Sequence, residues 1–186
     1  LDVCDGEILQ VEGPNGSGKT TLLRLLTSAL TATHGDIYYQ GRHLSECRFE
    51  YLSNLLFLGH QSAVKMTLTA EENLSWMVGR PIDCEELLAA LDSVQLTGYS
   101  DMPCYRLSAG QKRWGALERL LLSQHKIWFL DEPFTALDRQ GVALVEQCMQ
   151  KHVDGGGSVV LSTHQPIAMD AVRRYSLVNQ LSTGAN

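Results

Sequence analysis

The chain has 186 residues, 44% of them hydrophobic, and a formal net charge of −6. That length suits one domain with a sizeable core. The acidic balance argues against a dedicated nucleic-acid binder, which shows a basic excess. No run of 18 or more apolar residues is available to span a membrane. The five cysteines, at 4, 47, 84, 104 and 148, are widely spaced and contain no C-x-x-C. This fits a reducing compartment better than a disulfide framework. His43/Cys47 and Cys148/His152 have the spacing of one helix face, but two ligands make a poor metal site.

In chain order, residues 7–12 read as a first buried strand. The loop Gly13-Pro14-Asn15-Gly16-Ser17-Gly18-Lys19-Thr20 follows, and a helix is expected from about residue 18 to 30. Gly35 stops it. A short strand is expected at 36–39, with a turn at Gln40-Gly41. The apolar run Leu55-Leu56-Phe57-Leu58 reads as another buried strand leading into Gly59-His60-Gln61. Residues 62–106 then lose strand character. Thr69-Ala70-Glu71-Glu72 is a capping box that starts a helix near Ala70. Asp83 offers a second start, with Leu87, Leu88, Leu91 and Val94 at helical spacing. This region reads as a helical subdomain inserted into an α/β core formed by residues 1–61 and 107–186. A third capping box, Ser108 to Gln111, opens a helix to about Ser123, with Ala116, Leu117, Leu120 and Leu121 inward. Residues 127–130 are apolar throughout, as in a strand covered on both faces. A helix over 139–153 and a core strand over 158–162 complete the pattern.

The loop at 13–20 reads G-x-x-x-x-G-K-T between a strand and a helix, the context a phosphate-binding P-loop needs. Its glycines let successive N–H groups turn inward on phosphate oxygens, and the helix N-terminus adds to that field. Lys19 would bridge the β- and γ-phosphates, and the Thr20 hydroxyl would bind Mg²⁺. Thr21 is counted with the nucleotide-binding residues. Asp131 and Glu132 end an all-apolar strand. The first carboxylate can reach Mg²⁺ beside the P-loop, and the second can polarise a water. Alone, such a pair is often a solvated turn; the strand and P-loop favour the functional reading.

The set of motifs resembles the ABC-type ATPases. Leu107-Ser108-Ala109-Gly110-Gln111 resembles their LSGGQ signature, with alanine in place of the first glycine. It is also a plain helix cap. The resemblance implies that this signature binds the γ-phosphate held by a second subunit's P-loop. It makes Gln61 the Q-loop glutamine, touching Mg²⁺ and the water. His164 becomes a γ-phosphate contact that orders the attacking water. Ala136-Leu137-Asp138 becomes the D-loop, with Asp138 at the dimer interface. It implies an ATP-bound homodimer, ATP and Mg²⁺ as cofactors, and transmembrane partner subunits. The family's adenine-stacking aromatic is absent: none precedes Gly13, and the first is Tyr38. The chain opens at Leu1 without the family's first strand pair, and missing N-terminal residues are the expected explanation.

A finer likeness is carried by residues 9–16, Gly59-His60-Gln61, residues 107–111, residues 131–138 and Ser162-Thr163-His164-Gln165. These are similar to the haem-exporter ATPase family of bacterial cytochrome c maturation. That likeness implies a peripheral subunit on the cytoplasmic face of the inner membrane, energising haem delivery or release of a haem-loaded chaperone. The rival readings are another small importer or exporter, a soluble ABC-type ATPase acting on DNA or ribosomes, and a catalytically dead subunit. One P-loop per chain and under a hundred residues between Lys19 and Leu107 argue against the soluble forms. Glu132, His164 and the signature argue against the dead one.

Overall fold

The computed structural model of the protein describes residues 1–59, 64–78, 82–93, 97–169 and 171–177, with the side chains at 109, 112–114 and 116 left out. Its elements are β1 (Ile8–Glu12), α1 (Lys19–Leu26), β2 (Tyr38–Tyr39), β3 (Arg42–His43), α2 (Leu44–Ser53) and β4 (Leu55–Leu58), then α3 (Ala70–Val78), α4 (Cys84–Ser93) and α5 (Ala109–Leu122), and last β5 (Ile127–Asp131), α6 (Arg139–Asp154), β6 (Ser158–Ser162) and β7 (Val172–Ser176). Five strands form one parallel sheet in the order β4-β5-β6-β1-β7. The α/β class expected from the sequence is confirmed, and every pairing in this sheet is parallel.

Side chains of a strand alternate between its two faces, and here both faces are covered. Ile8, Leu56, Leu58, Trp128, Leu130, Val159 and Leu161 pack with Leu117 and Leu120 of α5 and Val145 and Met149 of α6. Leu9, Val11, Phe129 and Val160 turn the other way, against Leu23 of α1 and Cys47 and Tyr51 of α2. Fully burying an aliphatic or aromatic side chain contributes about 1.5–3 kcal/mol. This two-sided burial is why the strands read as unbroken apolar runs. A third cluster, Ala70, Leu74, Leu87, Ala90 and Leu91, belongs to α3 and α4 and takes in Leu122 at the end of α5.

Four local readings need correction. The P-loop helix ends at Leu26, not near Leu30. Thr27 turns its hydroxyl onto the Arg24 carbonyl, Ser28 takes φ 56°, and Ala29 and Leu30 both donate to Arg24. Hydroxyl side chains compete with the helical ladder in this way. The strand expected over 36–39 holds only Tyr38 and Tyr39, paired antiparallel with β3. Its two-residue turn is the expected one, with both Gln40 (φ 51°) and Gly41 (φ 77°) left-handed. Leu88 is 52% exposed, so it is no core position; Val94 lies outside the described residues. Leu121 is only partly buried, packed beside the α3–α4 cluster.

The sequence pattern hides three elements, β3, α2 and β7. α2 has no single apolar face: Phe49 is 89% exposed while Cys47 and Tyr51 are buried, and its backbone breaks helical geometry at Cys47. β7 is an edge strand with Arg173 and Arg174 at its middle. They pair outward with Glu7 and Glu12, which hides the strand pattern.

On α5, Glu118 is 1% exposed, and its Oε1 has no hydrogen-bond partner among the described residues. Burial pushes its carboxyl up from 4.5 to about 8. Between those values the unfolded chain releases the proton and the folded chain keeps it, so stability falls as pH rises. Glu118→Gln should remove that slope. The variant gains on the order of 3 kcal/mol at pH 7, and the gain shrinks towards pH 4.5. Urea unfolding of both chains at pH 5 and pH 8 measures this; parallel pH dependences would show that Glu118 ionises alike folded and unfolded.

Candidate nucleotide site

Residues 13–18 leave the end of β1 and curl into α1. Gly16 (φ 80°) and Gly18 (φ 97°) take left-handed backbone that other residues resist. At Gly13 the obstacle is space. A Cβ there would lie 2.5 Å from Ser17 Oγ and 3.0 Å from the Leu177 carbonyl. Gly18 is the N-cap of α1 and offers no side chain to it. The first-turn N–H groups therefore remain for an anion. Lys19 is 8% exposed, and its Nζ donates to the carbonyls of Gly13 (2.8 Å) and Pro14 (3.2 Å). The ammonium is thus folded back over the loop. Pro14, Asn15 and Gly16 are exposed, as is Thr21 on α1.

Sheet order brings the distant residues in. β6 lies between β1 and β5, with Val11 and Asp131 both in register with Ser162. Asp131 is 2% exposed. Its Oδ1 accepts from Ser162 Oγ at 2.6 Å and from Thr20 Oγ1 at 3.1 Å. Two hydroxyls therefore offset the desolvation of a buried carboxylate. Hard oxygen donors of this kind suit Mg²⁺, so Thr20 and Asp131 fit the ion.

Glu132 leaves the strand sharply at φ 51°, held by its N–H to the Ser162 carbonyl at 3.0 Å. A non-glycine residue in this region stores about 1–3 kcal/mol. Phe134, 1% exposed, anchors the turn that follows. Glu132 Oε1 lies 3.5 Å from His164 Nε2, and the histidine is the more exposed partner. Sequence reasoning named both residues but passed over Ser162. Its signal was a hydroxyl directly after the apolar run Val159-Val160-Leu161, and only the register reveals its purpose.

The other site residues sit apart. Ser108 caps α5, with its Oγ accepting from Gln111 N–H (3.2 Å) and Gln111 Oε1 accepting from Ser108 N–H (2.9 Å). Leu107 is buried and Ser108 exposed. Among the described residues no hydrogen bond or ion pair joins residues 107–111 to the P-loop. Asp138 caps α6 by accepting from Gly141 N–H at 2.8 Å. Gln61 lies outside the described residues.

A glycine loop closed by Lys19 and Thr20, a buried aspartate bonded to that threonine, a glutamate beside a histidine and a capped helix opening at Ser108 together suit an ATP-binding cassette. Known proteins agree. A family model described as ABC transporter matches residues 1–135. The chain is 50% identical over 164 residues to the cytochrome c biogenesis ATP-binding export protein CcmA of Pseudomonas putida, covering 87% of this chain and 78% of that one. It is 47% identical over 182 residues to the Escherichia coli protein of that name, covering 97% and 86%. An ABC transporter ATP-binding protein from Pyrococcus furiosus superimposes with a TM-score of 0.81 at 26% identity, over 95% of this chain and 87% of that one. A dimeric, post-hydrolysis ATP-binding cassette bound to ADP and Pi gives 0.74 at 26%, over 89% and 78%. The chain belongs to the ABC transporter family and, within it, to the family of the cytochrome c biogenesis ATP-binding export proteins. It is an ATPase.

Lys19→Ala should weaken ATP binding roughly tenfold to a hundredfold, because charge-assisted hydrogen bonds to phosphate are lost. Equilibrium titration with a fluorescent ATP analogue reads this directly, and an unchanged Kd would reject the P-loop assignment.

Proposed function

We propose that this chain is the ATP-hydrolysing subunit of a membrane exporter of cytochrome c biogenesis, energising haem delivery or the release of a haem-loaded chaperone. The observation that carries the ATPase chemistry is the convergence of Thr20, Asp131, Glu132 and His164 at the C-terminal ends of neighbouring strands. The curated relatives support the cellular assignment. The chain acts as a peripheral subunit on the cytoplasmic face of the inner membrane, beside transmembrane partners. Among its described residues no helix is long and apolar enough to cross a membrane.

In this reading residues 13–21 hold the nucleotide, and Lys19 swings from its loop carbonyls to the β- and γ-phosphates. Thr20 and Asp131, with Gln61, would hold Mg²⁺, which offsets phosphate charge when bound. Glu132 accepts the proton of the attacking water. His164, beside it, stabilises charge on the γ-phosphate and orients that water. The signature, residues 107–111, meets the ATP of a second subunit in a head-to-tail pair, with Asp138 near the shared face. Two-fold symmetry makes two equal sites.

Glu132→Gln keeps the shape of the side chain and removes the base. Hydrolysis should fall by about a hundredfold or more while ATP binding persists and a closed dimer accumulates on size exclusion. Normal turnover by this variant would mean that another group activates the water. Expressed in place of the native subunit, the same variant should abolish covalent haem staining of periplasmic c-type cytochromes. Full staining would sink the cellular assignment. Wild-type hydrolysis per subunit should also rise with protein concentration at saturating ATP. Constant specific activity down to concentrations holding only monomer would remove the paired-site reading.

A further inference from the structure

The segment that follows Gln61 and the segment that enters the signature run side by side. Tyr105 N–H donates to the Met66 carbonyl and Cys104 N–H to the Leu68 carbonyl, each at 2.9 Å. Thr69 and Pro103 form an antiparallel bridge. Asn73, on the first turn of α3 and 3% exposed, sits at the centre of this pair. Its Oδ1 accepts from Lys65 N–H at 2.7 Å. Its Nδ2 lies within hydrogen-bond distance of the carbonyls of Lys65 (2.9 Å), Leu68 (3.3 Å) and Thr69 (2.9 Å), and of Cys104 Sγ (3.2 Å). One amide thereby ties the backbone of residues 65–69 to the side chain of Cys104, itself 2% exposed. Beyond Cys104 the linkage is short. Leu107 N–H donates to the Cys104 carbonyl at 3.2 Å, and Leu107, 4% exposed, immediately precedes the Ser108 cap.

A buried asparagine that only satisfies a tight turn needs contacts within its own segment. The Cys104 contact crosses 31 residues and reaches the one segment whose next residues are the signature. Its bonds to residues 65–69 satisfy the backbone of its own segment, and the contact with Cys104 is the one that leaves it. We infer that Asn73 is a positioning residue for hydrolysis, fixing residues 107–111 against residues 65–69. The signature presented to the partner subunit's ATP then follows any movement of that segment. Asn73 acts through Cys104 and Leu107 and touches no nucleotide.

This inference rests on the paired-site reading above, and the test separates the two. The control is a purified mixed pair of differently tagged full chains, one Lys19→Ala and the other Ser108→Arg. It has one working site, built from the P-loop of the Ser108→Arg chain and the signature of the Lys19→Ala chain. Asn73→Ala is then added to one chain or the other. On the Lys19→Ala chain it disturbs the signature in use, and turnover should drop roughly tenfold, the scale of a lost buried hydrogen-bonding group. On the Ser108→Arg chain it disturbs an idle signature and residues 65–69, which follow the working site's Gln61 in the chain, so turnover should fall clearly less than in the first arrangement. KM for ATP should stay the same in both arrangements, because the P-loop is untouched. A fold defect would lower the two alike, since each pair carries one copy of the substitution. Equal loss in both arrangements, or loss in neither, overturns the inference. An inactive control in a demonstrably formed mixed pair overturns the paired-site reading and the inference with it. Cys104→Ala, which removes the thiol that meets Asn73, should reproduce the asymmetry at smaller size should Asn73→Ala fail to fold; equal turnover in its two arrangements overturns the inference too.

Discussion

A buried carboxylate is tolerable only where hydrogen bonds replace the water it gives up. Asp131 meets that condition with two hydroxyls, Ser162 Oγ and Thr20 Oγ1, on one oxygen. Each comes from a different strand or from the helix after it. The site therefore exists only while β1, β6 and β5 stay in register. A slip of one residue along any of them would turn these groups to the other face of the sheet and leave a carboxylate buried without partners. The apolar clusters on the two faces hold the register, and the chemistry depends on it.

Parallel topology supplies the second constraint. Parallel strands send all their C-terminal ends to one edge of the sheet, where ligands of open α/β sheets bind. Glu12, Asp131 and Ser162 end their strands there, and the P-loop, Glu132 and His164 extend from those ends. The sharp exit at Glu132 matters here. A residue continuing the strand would keep Glu132 within the sheet. The left-handed turn, locked by its N–H to the Ser162 carbonyl and by buried Phe134, aims it out beside His164.

The helical region answers a different demand. Its cluster of α3 and α4 residues includes Leu122 at the far end of α5, while the N-terminus of α5 carries the signature. One rigid helix thus joins the apolar cluster of the inserted region to the motif that a partner subunit would meet. Ser108 and Gln111 close its N-terminus reciprocally and leave the hydroxyl exposed.

Much of this was legible in the residue order. The P-loop needs glycines where the backbone turns left-handed and a Lys-Thr pair where α1 begins. Those demands are local and show in eight consecutive residues. The capping boxes at Thr69 and Ser108 are local too, and both formed. The buried strands announced themselves because a parallel sheet covers both faces. What the sequence could not show depends on contacts between distant segments. α2 forms without a continuous apolar face because Cys47 and Tyr51 pack against the sheet and Tyr51 donates to the Leu26 carbonyl. β7 forms despite two arginines because it pairs with β1 at an edge where charged side chains reach solvent and Glu7 and Glu12. Ser162 became a ligand of Asp131, and Asn73 a bridge to Cys104, through neighbours 31 residues away in each case. By itself the sequence determined the buried strands, the caps and the phosphate loop, because backbone geometry and periodicity act over a few residues. Only the tertiary structure decided which polar group answers which buried charge, because that follows from strand order and register.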